Sequence, residues 1–136
     1  MKFDSSIKVY GDLSFRGECP LESAEQITFF NTLRREYPDS YGLLAIHPRN
    51  EGKKSHFQVA KEKAEGMSPG ASDIVIPGAP SFVCELKRRD HTQSAWQKGQ
   101  REYLAAAKKA GAVACVALGW RAAWEALQEW DRLQRK

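Results

Sequence analysis

The stretch that decides the fold is GASDIVIPGAPSFVCELK, residues 70–87. Two runs rich in branched and aromatic residues flank a five-residue connection, PGAPS. This pattern predicts a β-hairpin, because branched and aromatic side chains favour strands while proline and glycine favour turns. If the hairpin is centred on Ala79, Asp73 falls directly opposite Glu85.

The second strand of this hairpin carries two charged residues on one face. Side chains alternate along a strand, so Glu85 and Lys87 point the same way, and Cys84 and Leu86 point the other way. Two opposed carboxylates, Asp73 and Glu85, repel one another unless something neutralises them. A divalent cation such as Mg²⁺ is suited to this, since it binds oxygen ligands and often takes one or two carboxylates. The alternative is that both acids are solvent-facing and each pairs with a nearby lysine or arginine.

The residues before the hairpin predict two helices and a strand. Ser23 and Gln26 have the spacing of a capping box, and apolar residues then recur at helical intervals over 24–37 until Pro38. The apolar run 41–46 predicts a strand, and 56–65 predicts a short helix.

The residues after the hairpin predict a helix, a strand and a second helix. Ser94 and Gln97 repeat the capping-box spacing and open a helix that ends at Gly111. A buried strand follows over 112–118, and a final helix places Trp120, Trp124 and other apolar residues on one side, as core. We therefore expect an α/β fold, a mixed sheet flanked by helices.

The first twenty residues stand apart from this order. Two short apolar runs flank Gly11-Asp12, which predicts a β-hairpin, although an arm that pairs with a second subunit has the same pattern. We therefore divide the 136 residues into an arm or hairpin over 1–20 and one domain over 21–136.

Charge and cysteine content restrict the partners and the compartment. The net charge is +4, with basic clusters at 49–54 and 87–89, which fits a polyanionic partner. The three cysteines are widely spaced and lack a C-x-x-C arrangement, which favours reduced thiols. Neither a signal peptide nor a long apolar run is visible, so we expect a cytoplasmic protein without membrane contact.

Two further polar residues belong to the same pattern. Glu25 lies in the first turn of the first predicted helix, near its apolar seam, and Glu22 competes with it as the acid of this helix. Gln100 lies one turn from Leu104 on a helix face that otherwise points inward. An inward amide there forms either a core hydrogen bond or part of a site.

These residues together resemble a known family. Gly70-Ala71-Ser72-Asp73 followed by Glu85-Leu86-Lys87 resembles the bipartite motif of the PD-(D/E)XK nuclease superfamily. Glu25, the basic segment 47–54, Gly70 and Gln100 are similar to features of the VRR-NUC family, especially its small stand-alone members in phages and bacteria. The resemblance covers Glu22 to Leu127, and Ser72 departs from it where the family usually has proline.

The resemblance implies a restriction-endonuclease-like core and a metal-dependent DNA endonuclease. Mg²⁺ or Mn²⁺ would be held by Asp73, Glu85 and Glu25, and Lys87 would orient or deprotonate the attacking water, with Gln100 in the same site. The side chains expected to contact DNA phosphates are Arg49, Lys53, Lys54, Arg88 and Arg89.

The family also suggests a substrate and an assembly state. Its stand-alone members act as homodimers on branched DNA such as Holliday junctions, so we expect a homodimer that acts on such DNA. If the chain is phage-encoded, the expected compartment is the cytoplasm of the bacterial host. The alternatives are a nickase or flap nuclease and a catalytically inactive DNA-binding module of the same fold.

Overall fold

The computed structural model describes residues 1–48 and 54–135. Within these residues, four strands and five α-helices are connected by short loops and one 3₁₀ turn. The strands are β1 Lys8–Tyr10, β2 Ile74–Ile76, β3 Phe82–Lys87 and β4 Val113–Leu118. The helices are α1 Glu22–Glu36, α2 Tyr41–Leu44, α3 His56–Ala64, α4 Gln100–Lys109 and α5 Trp120–Gln134, and the 3₁₀ turn is His91–Gln93.

The strands form one mixed sheet in the order β1-β4-β3-β2. β2 and β3 are antiparallel, and Ile74 pairs with Cys84 while Ile76 pairs with Phe82. This is the predicted hairpin register, so it is confirmed. β3 and β4 are parallel and are joined through α4, the crossover connection that a parallel pair requires.

Two apolar layers cover the two faces of the sheet. On one face, α1 and α5 pack against β3 through residues that include Phe29, Leu127 and Trp130. On the other face, Leu104 of α4 packs against β3 and β4. The alternation of side chains along β3 thus places Cys84 in the first layer and leaves Glu85 and Lys87 on the α4 side. The tryptophans of α5 belong to the first layer, as predicted.

The segment 41–46 is a correction to the sequence-based expectation of a strand. Residues 41–44 form the short helix α2, and only Ile46 makes a strand-like bridge, with Val75 of β2. The cause is packing at the end of α1: Gly42 donates its N–H to the Tyr37 carbonyl at 2.8 Å. A Cβ on Gly42 would lie 2.6 Å from that oxygen, so glycine permits this tight turn.

The helix after the hairpin also begins later than predicted. α4 starts at Gln100, and its N-cap is Gly99 with φ of 87°, whereas Ser94 and Gln97 lie before it. The capping-box prediction at Ser94 is therefore wrong. Its hydroxyl is used elsewhere, because it accepts from the N–H of Arg88 at 3.0 Å and donates to Glu22 at 2.7 Å.

The N-terminal segment and the beginning of α1 also differ from the sequence-based predictions. The predicted hairpin within residues 1–20 is wrong, because β1 pairs in parallel with β4, Lys8 with Cys115 and Tyr10 with Ala117. α1 begins at Glu22, two residues earlier than predicted, and its N-cap is Leu21, which makes no side-chain capping bond. The capping box predicted from Ser23 and Gln26 is therefore wrong, because both residues already lie within the helix. The arm that would pair with a second subunit and the domain boundary at residue 20 stay predictions.

Within the described residues, every helix is too short or too polar to cross a lipid bilayer. The free thiols follow the expectation from the sequence: Cys84 and Cys115 are buried, and Cys19 is partly exposed.

Trp130 connects α5 to the hairpin and should carry much of the fold's stability. Its ring is fully buried 4.8 Å from the ring of Tyr41, and its Nε1–H donates to the Pro80 carbonyl at 2.7 Å. We expect Trp130→Ala to lower the free energy of unfolding by about 3–5 kcal/mol, measured by urea denaturation. Gln128→Ala, at an exposed position of the same helix, is the control. Equal unfolding midpoints for the two variants would contradict this account.

Candidate active site

Glu85 and Lys87 lie side by side on β3, each with 1% of its surface exposed. The Lys87 ammonium is 3.8 Å from Oε1 of Glu85. It donates to the carbonyl oxygen of Ala95 and to Oε1 of Gln100, both at 2.9 Å. The charge of this lysine is thus compensated by three oxygen atoms, and its position is fixed.

Gln100, the first residue of α4, connects the two charged groups through both ends of its amide. Its Nε2 donates to Oε1 of Glu85 at 2.9 Å, and its Oε1 accepts from Lys87. The same Oε1 accepts from the N–H of Gln97 at 2.8 Å, which fixes the orientation of the amide. Gln100 therefore holds the carboxyl and ammonium groups in one arrangement.

Asp73 faces Glu85 from the residue just before β2. Its Oδ2 accepts from the N–H of Leu86 at 2.8 Å. Among the described residues, Oε2 of Glu85 is buried without a hydrogen-bond partner. Burial, and secondly the Asp73 carboxylate, raise the pKa of Glu85 to about 10. The pair therefore needs a proton or a cation, as a buried carboxylate pair does.

Two glycines allow the loop that carries Asp73 to contact the start of α4. Gly70 and Gly99 have φ of +80° and +87°, a conformation that side chains disfavour. A Cβ on Gly70 would lie 2.1 Å from the carbonyl carbon of Gly99, so the two backbones pack directly together. This contact sets the spacing between Asp73 and Gln100.

The two acids in the first turn of α1 have different surroundings. Glu25 is buried, and its Oε2 accepts from the N–H of Trp120, the first residue of α5, at 3.2 Å. Burial raises the pKa of Glu25, while the bond to Trp120 lowers it. Glu22 is bound by Ser94, and its charge contributes to the raised pKa of Glu85. The charge of Glu22 thus acts on the Asp73–Glu85 pair, whereas Glu25 lies at the start of α5.

A cleft of about 940 Å³ opens beside this group. Glu22, Asp73 and Gln100 line it, and Glu25 does not. Lys98, an exposed residue at its wall, contributes a cation that the sequence analysis did not select. Its only sequence signal is its place two residues before Gln100.

The predicted phosphate-contacting residues are distributed unevenly. Arg88 donates to the carbonyl oxygens of Cys19 and Pro20, at 2.6 and 3.1 Å, and so fixes the segment before α1. Arg89 lies over the ring of Phe15. Lys54 forms an ion pair with Glu62 at 2.5 Å. Arg49 and Lys53 lie outside the described residues.

The donor set suits a hard divalent cation, although residues 1–48 and 54–135 contain no group of three ligand side chains already gathered for a metal. Asp73 and Glu85 provide two opposed carboxylates, one with a buried oxygen that lacks a partner. Mg²⁺ commonly binds through one or two carboxylates with water and substrate phosphates as its other ligands. The residues present therefore fit such an ion.

Comparison with known proteins finds one fold. The chain matches a solved "VRR_NUC domain protein" with a TM-score of 0.69 and 22% sequence identity, over 88% of this chain and 93% of that chain. Protein-family profiles and curated proteins give no match. The chain therefore has the fold of that protein, which confirms the predicted α/β, restriction-endonuclease-like class.

The Asp73–Glu85 pair should lower the stability of the metal-free protein. The pKa of Glu85 is about 10 in the folded protein, against 4.5 for an ordinary glutamate. Between these pH values the folded protein keeps a proton that the unfolded chain has released, so the free energy of unfolding falls as the pH rises from 4.5 toward 10. Asp73→Asn removes one cause of the raised pKa. We expect it to stabilise the protein by about 1 kcal/mol at pH 8 in EDTA, a few degrees in Tm, and less toward pH 4.

Asp39→Asn is the control, since Asp39 is an exposed carboxylate. Thermal unfolding of both variants across this pH range gives the comparison. A destabilised Asp73→Asn variant at pH 8 would contradict the proposed repulsion.

Proposed function

We propose that this chain is a metal-dependent DNA nuclease of the PD-(D/E)XK type, similar to VRR-NUC proteins. The observation that carries the proposal is the buried group of Glu85, Lys87 and Gln100, with Asp73 opposite Glu85 at the wall of a cleft. Buried charged groups lower stability unless they are paired, so they are often retained because a site needs them. Here one carboxylate oxygen has no hydrogen-bond partner among the described residues.

Asp73 and Glu85 would hold Mg²⁺ or Mn²⁺. When bound, the ion lowers the pKa of a water molecule and polarises the scissile phosphate. The protein's contribution is to hold each carboxylate in a fixed position, through the N–H of Leu86 for Asp73 and the amide of Gln100 for Glu85. Preset ligands of this kind need little reorganisation during the reaction.

Lys87 is assigned the second role in the site. Its ammonium is held by Ala95 and Gln100 beside Glu85, so it provides a fixed positive charge at the end of β3. Such a charge stabilises negative charge that develops on the phosphate oxygens and orients the attacking water. Gln100 is a positioning residue in this scheme, because its amide is occupied by protein groups.

We propose Glu22 as the acid from α1, in place of Glu25. Glu22 lines the cleft and is near enough to Glu85 to affect its pKa, whereas Glu25 accepts from the backbone at the start of α5. A carboxylate at a helix N-terminus is favourable for the helix, so Glu25 has a structural role.

The proposed substrate is DNA, and the resemblance to stand-alone relatives favours branched DNA and a homodimer. Lys98 would contact phosphates along the cleft, and Arg49 and Lys53, which lie outside the described residues, are proposed as phosphate contacts from their charge alone. The free cysteines suit a reducing compartment such as the cytoplasm. A nickase or flap nuclease and an inactive DNA-binding module are the other outcomes that the cleavage assay distinguishes.

The nuclease proposal is tested with labelled linear, nicked, flapped and four-way DNA in Mg²⁺, Mn²⁺ or EDTA. We expect metal-dependent cleavage that falls by roughly 100-fold or more in Asp73→Ala, Glu85→Ala and Lys87→Met, because the first two remove the proposed metal ligands and the third removes the fixed positive charge beside them. Glu22→Gln should reduce cleavage strongly, whereas Glu25→Gln should mainly lower thermal stability.

Glu125→Gln, at an exposed position on α5, is the control for the loss of a carboxylate. DNA binding without cleavage in any metal would leave the inactive binding module as the answer. Full activity of Glu22→Gln together with loss of activity in a folded Glu25→Gln variant would reverse the assignment within α1.

Lys98 provides a separate test of the cleft as the path of the DNA backbone. Lys98→Ala should weaken binding in EDTA to all DNA sequences alike and reduce the slope of log affinity against log salt by about 1, because one phosphate contact is lost. Lys109→Ala, at the far end of α4, is the matched control. Identical slopes for the two variants would exclude this path.

A further inference from the structure

A second cavity is lined by Trp96 and Arg101, which flank the residues Gln97, Lys98 and Gln100 that line the cleft. It has a volume of about 260 Å³, and buried Leu104 and Val116 form part of its floor. Phe3 and Trp96 line its side with aromatic rings, 6.0 Å apart and edge to face. An apolar cavity of roughly 150 Å³ accepts a benzene ring, so this one has room for a larger flat ring system.

Trp96 joins this cavity to the candidate active site. Its ring centre lies 5.4 Å from the ammonium of Lys87, and its Nε1–H donates to the carbonyl of Lys2 at 2.8 Å. One side chain thus contacts both the cation of the site and the cavity.

The rim of the cavity carries charges that suit a nucleotide. Lys2 and Arg101 are exposed cations at the rim and can bind the phosphates that flank a base. Asp4 is also at the rim, and its bonds to Ser6 lower its pKa, so it is ionised at neutral pH. A carboxylate there can accept from the amino group of a base.

We propose that this cavity receives an unpaired nucleobase of the DNA whose backbone occupies the cleft. The inference rests on the proposed DNA substrate, and it explains why the protein would prefer DNA that contains unpaired bases. A paired base cannot leave its stack without a cost of a few kcal/mol, whereas a base in a flap or at a branch is already unpaired. Stacking on aromatic side chains is insensitive to base identity, so the rings would select an unpaired base of any kind, while Asp4 would add a preference for bases that carry an amino group.

Ala105 allows the cavity to be filled without changing the candidate active site. It is exposed, lines the cavity from the middle of α4, and is remote from the contacts of Lys87. Ala105→Phe should occupy the space intended for a base. Ala106→Phe places the same side chain at the next exposed position of the helix, outside the cavity, and is the matched control.

The test measures affinity in EDTA by fluorescence anisotropy. The ligands are a perfect duplex, the same duplex with a single-stranded flap, and that flap with abasic sites, which keeps its phosphates and lacks its bases. The wild type and Ala106→Phe should bind the flap about five- to tenfold more tightly than the abasic flap. Ala105→Phe should bind both flaps equally and the perfect duplex as the wild type does.

Equal binding of the two flaps by the wild type, or a preference that survives in Ala105→Phe, overturns the inference. Circular dichroism confirms that both variants are folded before comparison. If the wild type cleaves DNA in Mg²⁺ and yet ignores the flap bases, only the cavity proposal fails. If the base preference holds and cleavage is absent in every metal, the nuclease proposal fails and the base site stands.

Discussion

Glu85 and Lys87 share one face of a central strand and are almost fully buried, so the polar ends of both side chains must find partners inside the protein. Removing the Lys87 ammonium from water costs several kcal/mol, which is offset only when hydrogen bonds compensate its charge. Ala95 and Gln100 supply them. Both lie after β3, so the chain must return across this face before α4 can begin.

That return path explains why the predicted start of the helix after the hairpin is wrong. The spacing of Ser94 and Gln97 predicts a capped helix, but the chain uses the Ala95 carbonyl for Lys87 and stays irregular until Gly99. The hairpin register was predictable because a short turn and alternating side chains leave one pairing that buries Phe82 and Cys84 together.

The sequence alone does not distinguish the two acids in the first turn of α1. Glu22 and Glu25 are three residues apart in one helical turn, so a helical pattern places them on nearly the same side. The structure distinguishes them by distant partners, Ser94 for Glu22 and the start of α5 for Glu25. The contacts of Arg88 were not predictable for the same reason, because the carbonyl oxygens that it binds lie 68 and 69 positions earlier in the chain.

The parallel pairing of β1 with β4 has a consequence for synthesis of the chain. Lys8 cannot pair with Cys115 until the long segment between these partners has left the ribosome, since β1 and β4 are far apart in the sequence. Until then, β4 and the hairpin strands can associate without their N-terminal neighbour, and the closure of so long a loop is entropically slow. The edge strand is therefore expected to join the sheet last, after the strand that carries the buried charges is already in place.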